Sequence, residues 1–286
     1  MLARRSLVTR ALAPSLCPRL CPQMSRAYAH NDPASSISRA RAASNEPESV
    51  TISPSASSSF HELRERALLR HVIANSTEGD PDSVIAAMDE FWNTYFNGKG
   101  SAEWALRGSA LDVAMNKAAP GLCMELGTYC GYTAVRIGRL LPKGTHLVSL
   151  EIEPLFAAIA SKVVEHAGLR DSVSVEIGSV IDRLPSITRK HGNGPLSTLL
   201  LDHKVTEFLP DLRFLEEKDF IDKQTKVLCD WNLYPGSDAT EQAPRIGQEF
   251  MAYLEKRTDS KKGVHTMRHM LGDKEVFTVS EWFGSV

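Results

Sequence analysis

Four acidic side chains stand where apolar runs of the sequence end: Glu125, Glu151, Asp202 and Asp230. A fifth run ends at Gly178. One such acid is readily explained as a cap of the following helix, but four at equivalent positions are not. If the runs are parallel strands, their carboxyl ends meet at one edge of a sheet, where ligands of such folds bind. The sequence therefore predicts a ligand site lined by carboxylates.

The first of these acids opens a glycine-bearing turn. Residues 125–133 read ELGTYCGYT and lie between an apolar run and a helical pattern. This order of strand, turn and helix allows a nucleotide-like ligand to lie against backbone N–H groups, with Gly127 and Gly131 permitting close approach. The spacing Glu-x-Gly-x-x-x-Gly differs from the dinucleotide fingerprint Gly-x-Gly-x-x-Gly. It suits S-adenosylmethionine, a cationic ligand without a pyrophosphate, although a βα turn without any ligand is the alternative.

The other acids suggest two further roles. A carboxylate at Glu151 would accept hydrogen bonds from both ribose hydroxyls of an adenosyl group, unless it is only a solvated turn residue. Asp202 and Asp230 could converge on Mg²⁺, which prefers oxygen ligands and keeps several waters. A bound metal would lower the pKa of an acceptor hydroxyl and hold it for attack on a methyl group. The alternative for these two residues is a pair of independent helix N-caps.

The elements that must position these residues follow a regular alternation. Three helices are predicted first, at 60–75, 81–97 and 108–118. From residue 122 onward, predicted strands alternate with helices, and the chain closes with an antiparallel pair around residues 272–273. Alternating strands and helices predict an α/β fold with a parallel sheet covered by helices on both faces.

Composition excludes several classes of protein. The chain has 286 residues, 42% of them hydrophobic, and a net charge of −2. That length suits one sizeable α/β domain with extensions, and the near-neutral charge gives no reason to expect nucleic acid as a partner. Five cysteines without a CxxC pair favour buried thiols in a reducing compartment over a disulfide framework. No apolar run approaches the roughly 18–20 residues of a membrane-spanning helix, so we expect no membrane span.

The amino-terminal residues differ in composition from the rest. Residues 1–31 contain five Arg and neither Asp nor Glu, which is typical of a mitochondrial presequence. The alternative is a basic tail without a targeting role, which would leave the protein in the cytoplasm. Residues 32–58, rich in Ser and Ala, are interpreted as a disordered linker. The folded domain is predicted to span residues 59–286.

Several segments together resemble the catechol O-methyltransferase family. They are ELGTYCGYTAVRIGRLL, SLEIEP, LLLDH followed by FLPDL, and the Pro235-Gly236 pair after Asp230. The resemblance extends from about Phe60 to the carboxyl terminus and implies a class I S-adenosylmethionine-dependent O-methyltransferase. The implied fold is a Rossmann-like, seven-stranded, mostly parallel sheet with a carboxyl-terminal antiparallel hairpin. The implied reaction moves a methyl group to one hydroxyl of a catechol or small phenol held by Mg²⁺, and we expect a monomer that acts on a small-molecule acceptor.

The resemblance also implies a role for each residue that matches a family motif. Asp202 and Asp230 would ligate magnesium, and Trp104 would line the mouth of the acceptor site. The residues implied at the cofactor are Glu125, Gly127, Tyr129, Thr133, Glu151, Ile152, Gly178, Ser179, Asp202 and His203.

The sequence departs from the family at the catalytic base and at the third metal ligand. The family's lysine base arrives one residue early, as Lys204, and Val205 fills its position. Trp231 replaces the asparagine ligand, and Asn232 follows one residue late. In a regular extended segment a shift of one residue turns a side chain to the other face, whereas a local bulge could return both residues to the site. The candidate bases are therefore His203 and Lys204, and Asn232 is the candidate third ligand.

A further departure lies at the acceptor. The family carries a substrate-binding glutamate near the last hairpin, where this chain has Gly272 with Asp273 beside it. Asp273 and Trp104 are accordingly the predicted acceptor contacts. Two alternatives to a metal-assisted catechol methyltransferase stay open at this point. One is an impaired methyltransferase-fold protein that binds S-adenosylmethionine as an interaction module, and the other is a methyltransferase with a different acceptor and no metal.

Overall fold

The structure is a computed structural model. It describes residues 56–98, 101–116, 118–231, 247–250, 252–253, 264–271 and 274–282, with side chains from residue 64 to residue 253 except those of residues 101–104. All of these residues belong to one compact unit, Ser53–Val286.

Three helices precede the sheet: α1 (Ala56–Asn75), α2 (Pro81–Tyr95) and α3 (Ser101–Met115). Helix α2 begins as the sequence predicts, because Asp80 accepts hydrogen bonds from the N–H groups of Asp82 and Ser83 and Pro81 occupies the first turn. Helix α1 begins before the predicted residue 60, and α3 begins before the predicted residue 108. The longer α3 carries residue 107 inside the helix, which matters for the site.

Strands and helices alternate after α3, as predicted. They are β1 (Leu122–Leu126), α4 (Tyr132–Gly138), β2 (His146–Glu151), α5 (Pro154–His166), β3 (Val173–Ile177), α6 (Val180–His191), β4 (Thr198–Leu201), α7 (Phe208–Glu217), β5 (Lys226–Asp230), β6 (Val264–Leu271) and β7 (Lys274–Trp282). The strands form one sheet in the order β3-β2-β1-β4-β5-β7-β6.

The strands β1 to β5 pair parallel with one another, which confirms the predicted α/β fold with a parallel sheet. Strand β7 pairs antiparallel with β5, and β6 pairs antiparallel with β7. The strand order reverses between β1 and β4, because β2 and β3 lie on one side of β1 while β4 and β5 lie on the other. Ligands of open α/β sheets bind at such a switch point, beyond the carboxyl ends of the strands.

Alternate residues of the central strands enter two separate apolar clusters. Cys123 and Leu147 pack with helices α1 to α5, whereas Met124 and Val148 pack with helices α6 and α7. Because successive side chains of a strand point to opposite faces, these clusters are the two faces of the sheet, each covered by helices. The three described cysteines, Cys123, Cys130 and Cys229, are buried free thiols, as the sequence predicted.

Some predictions on the chain's organisation lie outside the described residues. The presequence at 1–31 and most of the linker at 32–58 are in this group, so the mitochondrial localisation stays a prediction. Among the helices that the structure describes, none is both long enough and apolar enough to span a bilayer.

Candidate functional site

The turn after β1 brings the ends of β1 and β4 into direct contact. Gly127 has a φ of +96°, and a Cβ atom there would overlap the backbone carbonyl oxygen of Asp202. Gly131, with a φ of +88°, begins α4 in the left-handed conformation, and a Cβ atom there would lie 3.2 Å from Cα of Ala160 on α5. Both glycines are therefore required by close backbone packing around the predicted ligand site.

Glu125 lies at the bottom of this turn and is fully buried. Its carboxylate accepts hydrogen bonds from the hydroxyl of Thr133 and, at 2.5 Å, from that of Ser149. Burial is the main cause that raises the pKa of Glu125 to about 8, and the negative charge of Asp202 raises it further. The hydrogen bonds from Ser149 and Thr133 and the positive charge of Arg107 lower the pKa in part. With this pKa the carboxyl group is mostly protonated at neutral pH, and a cation bound beside it would favour the ionised form.

Glu151, at the end of the neighbouring strand β2, supports the same turn. Its Oε2 atom accepts a hydrogen bond from the backbone N–H of Tyr129 at 2.7 Å, and its Oε1 atom accepts one from that of Glu153 at 2.9 Å. Tyr129 has a φ of +48°, which is uncommon for a residue with a side chain. The buried carboxylate of Glu151 thus holds the turn in this conformation.

The side chain of Tyr129 is anchored on helix α1. Its hydroxyl donates a hydrogen bond to Glu65 Oε1 and accepts one from Arg64 Nη2 at 2.9 Å. Glu65 is fully buried, and the guanidinium of Arg64 lies over the ring of Trp92. Neither Glu65 nor Arg64 was predicted from the sequence to be part of the site.

Asp202 and Asp230 are brought together, as the sequence predicted, but the cation between them is an arginine. Arg107 of α3 donates from Nη2 to Asp202 Oδ2 at 2.5 Å and from Nε to Asp230 Oδ2. The three side chains are 4%, 2% and 1% exposed. The sequence analysis did not predict this residue.

Among the described residues, the donor set around these carboxylates does not fit a magnesium ion while Arg107 lies between them. Within the described ranges, no group of three or more His, Cys, Asp or Glu side chains is arranged to hold a metal. The two aspartates each direct an oxygen to the Arg107 guanidinium, which fills the space between them. Mg²⁺ needs oxygen ligands in near-octahedral order at about 2.0–2.1 Å, so it would have to displace the guanidinium.

The residues at the family's base and third-ligand positions belong to the core. Val205 is buried in the cluster under α6 and α7, and Trp231 packs against Phe208 and Phe250, with ring centroids 5.1 and 5.6 Å away. Strands β4 and β5 pair in continuous register, so no bulge within them shifts the chain. Lys204 is exposed at the start of a short 3₁₀ turn, and its catalytic role stays a prediction.

His203 is held by a carboxylate from helix α7. Its Nε2 atom lies 2.9 Å from Oδ2 of Asp211. Because an ionised carboxylate only accepts, Nε2 carries the proton in this contact and Nδ1 is the acceptor nitrogen of the neutral ring. No residue in the described part of the chain hydrogen-bonds to Nδ1, although that atom is buried. A buried acceptor without a protein partner is expected to accept a hydrogen bond from an ordered water or from a ligand.

The remaining predicted cofactor residues lie at the ends of β2 and β3. Ile152 is 74% exposed directly after β2. Gly178 donates its N–H to the carbonyl oxygen of Glu151 at 2.9 Å, which fixes the end of β3 next to β2. Ser179 caps α6 by accepting a hydrogen bond from the N–H of Asp182, and this local role already accounts for its hydroxyl. Contacts of these residues with a cofactor stay predictions.

The side chains of three predicted site residues, one metal ligand and two acceptor contacts, are not described by the structure. Asn232 and Asp273 are not among the described residues, and for Trp104 only the backbone, inside α3, is described. Their roles as metal ligand and acceptor contacts stay predictions.

The chain is similar to known methyltransferases in sequence. The family model described as O-methyltransferase matches residues 107–209. Catechol O-methyltransferase of Mus musculus is 40% identical over 196 residues, which are 67% of this chain and 68% of that protein. Catechol O-methyltransferase of Bos taurus is 37% identical over 179 residues, or 61% of this chain and 63% of that protein. The chain thus spans about two thirds of the length of these relatives.

Solved structures share the fold. The O-methyltransferase TomG from Streptomyces achromogenes, solved with S-adenosylmethionine, gives a TM-score of 0.50 at 21% identity. The match covers 62% of this chain and 79% of the TomG chain. The Podospora anserina methyltransferase PaMTH1, solved with S-adenosylhomocysteine, gives 0.51 at 17% identity, covering 82% of this chain and 99% of its own. At these identities the likeness shows the fold, and the sequence relatives show the family. The chain therefore belongs to the O-methyltransferase family, as a catechol O-methyltransferase-like member of the class that depends on S-adenosylmethionine.

Proposed function

We propose that this protein transfers a methyl group from S-adenosylmethionine to a hydroxyl group of a catechol or another small phenol. The observation that carries the proposal is the pair of buried carboxylates, Glu125 and Glu151, at the carboxyl ends of β1 and β2. They flank one turn, at the point where the strand order reverses. The relatives named catechol O-methyltransferase support a catechol-like acceptor.

The two carboxylates have different tasks in this proposal. Glu125 is fully buried beneath the turn, where an ionised carboxylate would stabilise the positive charge of the cofactor. Glu151 uses each oxygen for one backbone N–H, and carboxylate oxygens have further lone pairs that accept ribose hydroxyls. Tyr129, fixed between Glu151 and Glu65, sets the shape of the turn against which the cofactor lies.

The chemical step is an in-line displacement. The acceptor oxygen forms a bond to the methyl carbon while the bond from carbon to sulfur breaks, and the electron pair stays on sulfur, giving S-adenosylhomocysteine and a methyl ether. We assign the base that takes the hydroxyl proton to His203, whose Nδ1 atom is the proton-accepting nitrogen when Nε2 donates to Asp211. Positioning of the two reactants supplies much of the rate in such reactions.

The family resemblance also implies that Mg²⁺ assists the reaction. It would require Asp202 and Asp230 to exchange the Arg107 guanidinium for a metal ion. The described donor set does not support that exchange, so no step of the proposed reaction depends on a metal.

The proposal is tested on the full chain by calorimetric titration with S-adenosylmethionine and by transfer of a labelled methyl group to catechols and simple phenols. We expect saturable cofactor binding and a methylated product. Binding without transfer to any of these acceptors would favour the interaction module over the enzyme. Absence of binding would contradict both and leave the glycine turn as a structural element only.

The affinity for S-adenosylmethionine is expected to rise with pH because of Glu125. The raised pKa of about 8 means that the ligand-free protein keeps the proton on this carboxyl group below that pH. A bound cation favours the ionised form, so binding releases the proton. The dissociation constant should therefore fall by up to about tenfold per pH unit between pH 6 and pH 8 and level off above pH 8.

Glu125→Gln is the matched control for this pH dependence. The cofactor's own α-amino group titrates near pH 8, but it affects both proteins equally. The ratio of the two dissociation constants, measured by calorimetry from pH 6 to pH 9, isolates the contribution of Glu125. A ratio that does not change with pH would show that Glu125 keeps one charge state on binding.

A further inference from the structure

The Arg107 guanidinium is built into the sheet edge as a fixed cation. It reaches Asp202 and Asp230 through two different nitrogens, Nη2 and Nε, and all three side chains are almost completely buried. Its central carbon also lies 6.0 Å from the ring centroid of Tyr132, which places the positive charge near an aromatic face. A planar guanidinium with separate N–H donors is suited to bridge two carboxylates at once.

The charges at this edge require such a cation. Two buried carboxylates on adjacent strands do not both ionise at low energetic cost unless a positive charge lies between them. Arginine keeps its charge at every pH at which the protein folds, so it neutralises the pair permanently. The charge of Arg107 also acts on Glu125 at the cofactor end of the site. Asp202 raises the pKa of Glu125, and Arg107 lowers it.

We propose that Arg107 takes the place of the divalent cation that the family resemblance implies, and that methyl transfer by this chain proceeds without a metal. The guanidinium holds Asp202 and Asp230 at the acceptor end of the site and supplies the positive charge there. The part of this inference that concerns methyl transfer rests on the proposed function, whereas the cation between the aspartates is independent of it.

A consequence for catalysis follows from the nature of the cation. A divalent metal coordinates an acceptor hydroxyl and lowers its pKa, whereas a guanidinium contributes one delocalised charge and remains hydrogen-bonded to its carboxylates. Proton removal from the acceptor then depends more on a protein base. The exposed Lys204 and the carboxylate-bound His203 are the two candidates that the sequence supplies.

The metal-binding test uses Mn²⁺ followed by electron paramagnetic resonance and Mg²⁺ followed by calorimetry, on the full chain. The wild-type protein is expected to bind neither ion at a specific site. Arg107→Ala leaves two carboxylates facing one space and should gain binding of one ion per chain, with a melting temperature that rises on addition of MgCl₂. Adding Asp230→Asn to that variant should abolish the gain.

One result would overturn the inference: wild-type protein that binds one Mn²⁺ per chain and loses that binding in Asp230→Asn. In that case the metal displaces Arg107. The wild-type measurement decides the question even if Arg107→Ala does not fold.

An activity measurement separates this inference from the proposed function. Methyl transfer to a catechol is followed with excess EDTA and then with added MgCl₂. Transfer that survives EDTA supports the inference, whereas transfer that is lost with EDTA and restored by Mg²⁺ overturns it and leaves the proposed function intact. Absence of transfer under both conditions contradicts the proposed function, and the Mn²⁺ measurement alone then decides which cation the aspartates hold.

Discussion

Arg107→Ala is expected to lower the free energy of unfolding by about 3–5 kcal/mol, because it leaves the carboxylates of Asp202 and Asp230 buried without their cation. The measurement is urea denaturation of the full chain near neutral pH. Removing the arginine leaves the two buried carboxylates without its positive charge, and their desolvation penalty accounts for most of the cost. The lost hydrogen bonds account for a smaller part.

Two controls isolate this effect. Lys162→Gln removes an ion pair with Glu165 whose side chains are 52% and 37% exposed, and solvent screening of that pair should leave the free energy of unfolding almost unchanged. Changing both aspartates to asparagine in the Arg107→Ala background removes the buried charges and should recover part of the lost stability. A loss for Arg107→Ala no larger than that for Lys162→Gln would show that the arginine does not neutralise the pair.

The positions of the carboxylates at one edge could be predicted because the parallel direction of the strands follows from local patterns. Each acid follows a run with strand composition, and alternation with helices makes the strands parallel. Parallel strands place their carboxyl ends at one edge, and the structure has Glu125, Glu151, Asp202 and Asp230 at the ends of four adjacent strands. The bounds of β1 are the predicted ones because its apolar run is short and a glycine turn ends it.

The partners of the two aspartates and of the Tyr129 hydroxyl could not be predicted, because they come from helices that precede the alternating pattern. Arg107 lies 95 and 123 residues from the two aspartates that it binds, and Glu65 lies 64 residues from Tyr129. The sequence does contain a signal, because both charged residues lie on the buried apolar face of their helices. Glu65 is three residues before the buried Leu68, and Arg107 is four residues before the buried Leu111. A charge on such a stripe requires a buried partner, but the stripe does not say which one.

The departures from the family motif have a simple structural account. Pairing of β4 with β5 is continuous between residues 198–201 and 226–229, and beyond it Val205 is buried in the apolar cluster under α6 and α7 while Trp231 packs against that cluster. The one-residue shift of the lysine therefore leaves Lys204 exposed. The sequence alone left open whether a bulge compensates, because bulges depend on pairing with a neighbouring strand.

The base of the proposed reaction is expected to be His203, and His203→Gln should lower the rate of methyl transfer by about 10²–10⁴-fold. The reason is the contact between Nε2 and Asp211, which fixes the orientation of the ring and leaves Nδ1 as the nitrogen that can accept the proton of the substrate hydroxyl. Single-turnover methyl transfer with saturating cofactor measures this step. The dissociation constant for S-adenosylmethionine, measured alongside, separates a catalytic loss from a loss of cofactor binding, since His203 is also predicted to border the cofactor.

Lys204→Gln and Asp211→Asn decide between the two candidate bases. If His203 is the base, Asp211→Asn should slow transfer, because an amide can also donate to Nε2 and so no longer fixes the tautomer in which Nδ1 accepts, while Lys204→Gln should change the rate far less than His203→Gln. If Lys204→Gln instead produces the large loss and Asp211→Asn leaves the rate unchanged, the shifted lysine has kept the family's role. Lys204 would then have to change its conformation to reach the acceptor, because its side chain is exposed to solvent in the structure.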